Sequence, residues 1–243
     1  MKIIITMAGL GSRFKNIGID TPKYKIIANE KTLFEWSMLS LKDFFKEDFI
    51  FIIRKEILDL EFLRNTCEKL GISDFKVKVI EEETDGQATT AYLADEFTND
   101  DEECVIYNID TYVRPNEILR SQIKEEFDGF IPVIKAEGNR WSFVKVDDKG
   151  KVVDVAEKVP ISNLATIGLY YFKKWKIYKE VYRVNKQAIA KVNKEVYIAP
   201  MYKYMINDEM NIGIKILDGD SVRILGTPEE IESFDSEYYK NNC

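Results

Sequence analysis

Arg13 and Lys23 are the first residues in the chain whose setting suggests chemistry. Arg13 closes the small-residue stretch Met7-Ala8-Gly9-Leu10-Gly11-Ser12-Arg13, directly beyond the apolar run Ile3-Ile4-Ile5. Lys23 follows in Thr21-Pro22-Lys23. A backbone that lies close to phosphates needs residues without bulky side chains. Free amides at a loop or helix start present partial positive charge to an anion. Ala8, Gly9, Gly11 and Ser12 are therefore candidate nucleotide-binding residues, and Arg13 and Lys23 candidate catalytic cations. The bland alternative is a Gly-x-Gly turn that only reverses the chain. Two familiar phosphate motifs are excluded: a dinucleotide fingerprint needs glycine where Phe14 stands, and Gly-Lys-Ser/Thr of a P-loop is missing.

Asp110 follows the apolar run Cys104-Val105-Ile106-Tyr107. A carboxylate there can hold Mg2+, which takes one or two carboxylates and completes its shell with water and phosphate oxygens; the alternative is an aspartate capping a turn before Pro115. Gly86 and Gln87 open a helix after Lys76–Ile80. Gly86 permits close approach of a base or ribose, and the Gln87 amide can read a base edge. Asp85-Gly86 is equally an ordinary turn. The chain has no histidine, so Ser-His and Cys-His nucleophiles and His-based zinc sites are ruled out. Chemistry here rests on carboxylates, cations and a metal, as in phosphoryl or nucleotidyl transfer.

These residues need a frame. Apolar runs predict strands at 2–7, 49–53, 76–80 and 104–107, with helices at about 32–45 (capped by Thr32), 56–70 (ended by Gly71) and 87–97 between them. That alternation predicts a parallel sheet covered by helices on both faces, with ligands beyond the carboxyl ends of the strands. The second half is strand-rich: 129–135, 142–147, 151–156 and 166–172, then a helix at 174–191 and a closing helix at 228–240. The 243 residues are expected to form one domain, a nucleotide-binding half (about 1–125) and an acceptor-binding half (about 126–243).

A net charge of −7 and a pI near 5.0 argue against nucleic-acid or anionic-membrane binding. No segment approaches the roughly 20 apolar residues of a membrane span. Cys67, Cys104 and Cys243 form no metal or disulfide pattern. A reduced, cytoplasmic setting is expected, and a homodimer is compatible with it.

The order of the motifs resembles the nucleotidyltransferases of the sugar-nucleotide pyrophosphorylase superfamily. The matching residues are Gly9-Leu10-Gly11-Ser12-Arg13, Pro22-Lys23, Asp85-Gly86-Gln87-Ala88, Asp110, Val155-Ala156-Glu157-Lys158 and Gly226-Thr227-Pro228-Glu229. The resemblance implies a GT-A/Rossmann-like α/β fold, with a mainly parallel sheet flanked by helices. It also implies in-line attack by a substrate phosphate on the α-phosphorus of a nucleoside triphosphate, with Mg2+ as cofactor. Arg13 and Lys23 would grip the phosphates, Asp110 the metal, and Gly86 and Gln87 the base; Glu157 and Lys158 would face the acceptor, Lys158 as a third catalytic cation. A second metal aspartate is usual two residues before the closing glycine, where this chain has Ile224; Asp218 and Asp220 are the candidate replacements, with plain turn chemistry as their alternative. Arg140 and Trp141 are expected to line the acceptor pocket, although Trp141 could equally be core. The wording of the motifs looks most like the small cytidylyltransferases, such as the capsule-modifying CTP:phosphoglutamine enzymes, which implies CTP and a small phosphorylated acceptor. Sugar-1-phosphate or phosphocholine nucleotidyltransferases, a non-catalytic nucleotide-binding regulator and a glycosyltransferase are the alternatives.

Overall fold

The computed structural model describes residues 1–237. Its elements run β1 (Lys2–Thr6), α1 (Ser12–Lys15), β2 (Ile27–Ala28), β3 (Lys31–Thr32), α2 (Leu33–Leu39), β4 (Asp48–Arg54), α3 (Leu60–Leu70), β5 (Phe75–Ile80), α4 (Gln87–Tyr92), β6 (Cys104–Asn108) and β7 (Thr111–Val113). The second half continues with β8 (Gly129–Lys135), β9 (Ser142–Val146), β10 (Val152–Glu157), β11 (Leu164–Thr166), β12 (Leu169–Phe172), α5 (Trp175–Asn193), α6 (Met201–Asn207), β13 (Ile212–Ile216), β14 (Val222–Ile224) and α7 (Pro228–Phe234).

One large mixed sheet carries the molecule, in the order β10-β9-β11-β8-β12-β6-β1-β4-β5, with β13 beside β8. The expected parallel part is β6-β1-β4-β5, where Ile4 stands between Ile50 and Ile106. The strand-rich half adds antiparallel β12, β8, β11, β9 and β10, and a parallel β13. Alternation along the strands builds two cores. Ile4, Ile50, Ile52 and Ile106 pack toward α4, α5 and α6. Ile3, Ile5, Phe49, Phe51 and Ile53 pack toward α2 and α3. Each such side chain contributes about 1.5–3 kcal/mol when fully buried, so the strand ends that carry the site are firmly held.

Element boundaries depart from expectation in several places. The helix expected over 32–45 stops at Leu39 and is continued only by a 3-10 turn at Lys42–Phe44; the Ser40 hydroxyl between them donates to the Trp36 carbonyl and accepts from the Val113 amide. The helix expected from 56 starts at Leu60, where the Asp59 side chain caps Phe62 N–H. The strand expected over 166–172 is broken at Gly168, whose φ of +82° is a left-handed conformation foreign to a strand. The helix expected over 228–240 ends at Phe234, where Asp235 turns extended (φ −139°) and residues 235–237 are not helical; 238–240 lie outside the described residues. Among the described residues no helix is long and apolar enough to cross a membrane.

Candidate active site

Beyond β1, Met7 N–H still donates to the Ile52 carbonyl at 3.0 Å, and then the chain leaves the sheet. Gly11, at φ +65°, turns it into α1, which is anchored by buried Phe14. Among the described residues the backbone N–H groups of residues 9–13 meet no acceptor. They form the row of free donors that the small residues predicted. Gly9, Gly11, Ser12 and Arg13 line a cavity of about 450 Å³ together with Lys23 and Asp110.

Three distant segments meet at the rim of this loop. The turn after Pro22 is fixed by Tyr24, whose hydroxyl donates to the Ile57 carbonyl at 2.7 Å. It delivers Lys23, whose Nζ lies 2.6 Å from Asp110 Oδ2 and 3.3 Å from the Gly226 carbonyl. Asp110 follows β6, and its own carbonyl accepts from Leu225 N–H at 2.8 Å. The closing Gly226 sits in a tight place: an added Cβ would stand 3.3 Å from both Asp110 Oδ2 and Glu230 Oε2. Glu230 Oε2 in turn accepts from the Gly226 and Thr227 amides at 2.9 and 3.0 Å, forming with Thr227 the capping box that starts α7.

On one side of this junction a cavity of about 400 Å³ is lined by Ala8, Gly9, Glu83, Gly86, Gln87 and Glu195, among others. Gly86 does border it, but a ligand is not what makes glycine necessary. At φ +146° its missing Cβ would lie 2.5 Å from the Val196 nitrogen, so the close approach is made by the backbone of residue 196. Gln87 Nε2 donates to Thr6 Oγ1 at 3.1 Å and to Asn108 Oδ1 at 2.6 Å. Both its donors are spent inside the protein, and its carbonyl oxygen is the group left to read a base.

On the other side lies a cavity of about 380 Å³ that shares Arg13, Gln87, Asn108, Asp110 and Gly226 with the first. The candidate acceptor residues Arg140, Trp141 and Glu157 line it together with Tyr170 and Tyr197. Arg140 pairs with Glu230 and lies 4.5 Å from the Trp141 ring centre; Trp141 is half-buried, packing on the core beneath while lining the cavity. The Glu157 carboxyl is 6 % exposed and accepts from the Ser142 hydroxyl. Burial pushes its pKa above the ordinary carboxyl value, against the lowering effect of Ser142 and Lys158. Lys158 stands at the rim, in a left-handed conformation (φ +55°), and does not share the cavity lining with Asp110. Its Nζ donates to Tyr197 Oη at 2.8 Å over the ring of that residue. The tyrosine oxygen it donates to holds the Lys158 ammonium above its ordinary pKa, with Glu157 and Glu195 adding to the effect. Burial raises the Tyr197 phenol in turn.

Asp218 and Asp220 are not brought to Asp110. They precede β14, whose residues Val222 to Ile224 pair back along β7 and separate them from the cleft. Asp218 accepts from the Asp220 amide, as the turn alternative anticipated. Ile224 faces Thr111 and lines this same cavity, so the second carboxylate position is apolar. Among the described residues no group of three His, Cys, Asp or Glu side chains could hold a metal ion. Asp110 alone still fits Mg2+, because that ion needs as few as one carboxylate when phosphate oxygens and water fill the shell. Sequence inspection missed Asn108, which sits at the junction of both cavities, and Glu195 and Arg54. Asn108 carried a signal, being the first polar residue at the end of a buried strand. Glu195 carried none.

A mixed α/β sheet with free loop amides, paired cations and one carboxylate at its strand ends defines a nucleotide-handling enzyme class. The Nucleotidyl transferase family pattern matches residues 2–215, and the chain belongs to that family. It is similar to the crystal structure of a nucleoside-diphosphate-sugar pyrophosphorylase from Vibrio cholerae RC9, with 35% identity over 96% of this chain and 99% of that one and a TM-score of 0.87. A protein from Bacillus anthracis assigned as a glucose-1-phosphate thymidylyltransferase shares the fold at 18% identity, covering 100% of this chain and 97% of that one, TM-score 0.79. The inositol-1-phosphate CTP transferase from T. maritima shares it at 15% identity with the same coverage, TM-score 0.74. Among curated proteins none matches the chain.

Proposed function

We propose that this enzyme joins a nucleoside triphosphate, CTP in preference, to a small phosphorylated acceptor and releases pyrophosphate. The observation that carries this is the meeting of the loop amides, Arg13, Lys23 and Asp110 where two cavities open on each other. One cavity suits the nucleotide and the other the acceptor. An acceptor phosphate oxygen attacks the α-phosphorus in line, a new P–O bond forms, and the bond to the β-phosphate oxygen breaks. The acceptor phosphate is ionised near neutral pH, so a chain without histidine needs no general base. Arg13 and the residue 9–13 amides receive the charge that builds on the departing pyrophosphate, and Lys23 screens the repulsion between the two anions. Asp110 would hold Mg2+, which supplies charge neutralisation on the phosphate oxygens.

The proposed acceptor is L-glutamine phosphate, giving CDP-L-glutamine for a capsule modification. Its support is the resemblance of the motifs and the make-up of the acceptor cavity. Glu157, Trp141 and Tyr197 suit a small group bearing an ammonium or amide, and Arg140 suits a carboxylate. A sugar-1-phosphate acceptor is the second reading, favoured by the 35% identity to the Vibrio cholerae pyrophosphorylase. The proposed setting is cytoplasmic, with a homodimer as the assembly to test. Pyrophosphate release is measured with CTP, UTP, dTTP, ATP and GTP, each with Mg2+ and with glutamine phosphate, phosphocholine or glucose-1-phosphate. Release restricted to CTP and glutamine phosphate is the expected outcome. Tight triphosphate binding without release from any acceptor would instead mark a regulator.

A further inference from the structure

Arg54 is a cation that the chemistry above leaves unused. It ends β4, its side chain is 4 % exposed, and its carboxylate partner Glu56 is itself 57 % exposed. Burying a guanidinium is costly unless its donors are met. Here Nε donates to the Ala8 carbonyl at 2.8 Å and a terminal nitrogen reaches the Gly9 carbonyl at 3.5 Å. A trans peptide carries its carbonyl and the following N–H in opposite directions. Holding the carbonyls of residues 8 and 9 therefore turns the amides of Gly9 and Leu10 away from Arg54. Arg54 borders a further cavity of about 490 Å³, beside Lys15, Asp20 and Glu56, that shares Gly9, Gly11, Lys23 and Ile57 with the cleft. The cavity holding Arg13, Lys23 and Asp110 is lined by the same loop but not by Arg54.

We propose that Arg54 is a positioning residue for the polyphosphate: by holding the Ala8 and Gly9 carbonyls it fixes the loop so that its free amides serve the cleft, without itself touching the ligand. This rests on the proposal that the cleft takes a nucleoside triphosphate. Arginine suits the role because its planar fork can serve two carbonyls at once, whereas an ammonium is a single point.

Titration calorimetry on the full chain with Mg2+ tests it, using CTP (or whichever of the five triphosphates binds best), the matching monophosphate and inorganic tripolyphosphate. Arg54→Ala is expected to weaken triphosphate and tripolyphosphate binding about 10- to 100-fold, the size of a lost charged hydrogen bond or two. The monophosphate should change less than about threefold, since the amides concerned serve the outer phosphates. Arg54→Lys should fall between Arg54→Ala and the parent, and it carries the test if the alanine variant does not fold. Glu56→Gln should bind as the parent does. Unchanged triphosphate binding in Arg54→Lys and Arg54→Ala would overturn the role. So would an equal loss for the monophosphate, because that reports general loosening of the fold. A parent protein that binds neither triphosphate nor tripolyphosphate would overturn the nucleotide assignment itself, which is a distinguishable result.

Discussion

Lys23→Ala separates the chemistry of the cleft from its stability. Lys23 Nζ sits 2.6 Å from Asp110 Oδ2, with the lysine side chain 20 % and the aspartate 28 % exposed. The turn that carries it is fixed independently by Tyr24. Deleting the ammonium removes one charged hydrogen bond in a half-solvated setting, a cost of about 1 kcal/mol. For a chain of this size that lowers Tm by about 2–4 °C. Its effect on turnover is larger. A preorganised donor facing developing charge is worth about 10²- to 10³-fold in kcat, so turnover should fall at least a hundredfold while the protein stays folded. Coupled detection of pyrophosphate gives kcat, and thermal unfolding gives Tm. A folded Lys23→Ala that keeps turnover within threefold of the parent would refute the proposed site.

Asp110→Asn should abolish metal-dependent turnover, whereas the double change Asp218→Asn with Asp220→Asn should leave it unaltered; Mg2+ titrations of the rate decide both. Gly168→Ala should cost about 1–3 kcal/mol and lower kcat/KM, because its Cβ would stand 2.2 Å from Asn108 Nδ2 and drive that side chain off Gln87; unfolding curves with kinetics report both. Glu157→Gln has a pH signature. Burial raises the folded carboxyl above its unfolded value, so wild-type stability is fullest below the ordinary carboxyl range and is lost as pH rises through the folded value. The glutamine variant should therefore gain in Tm over wild type on going from pH 4 to pH 7, and lose about tenfold in kcat/KM for the acceptor.

The parallel half was legible because buried strands are uninterrupted apolar runs, as in Phe49–Ile53, and because Thr32 and Gly71 act as the caps their types suggest. The loop, Lys23 and Asp110 were candidates by residue type alone, each with a plain turn as its alternative, and the structure brings them to one cavity. What escaped depended on contacts far apart in the chain. Asp218 and Asp220 lie close in sequence to Gly226, but the extended β14 intervenes and carries them to the other end of β7. Arg140 and Glu230 are 90 positions apart and nothing local announces their pairing. Gly86 was marked as a place where a base or ribose comes close, whereas in the fold the close approach is made by the backbone of residue 196.

The pairing of Lys23 with Asp110 also bears on how an acidic protein admits a polyanion. Each holds the other in place within the cleft, and neither is left as an uncompensated charge. A magnesium triphosphate brings a cation and an anion together, so Asp110 and Lys23 can exchange each other for the two halves of the ligand. If so, the pair is coupled in the unliganded protein. Each single alanine variant strands one charge, and the double variant Lys23→Ala with Asp110→Ala strands none. The double variant should then be more stable than the sum of the single losses by about 0.5–3 kcal/mol, while catalysing no better than either. Strict additivity in unfolding free energy would mean that the two charges do not compensate each other in the unliganded protein.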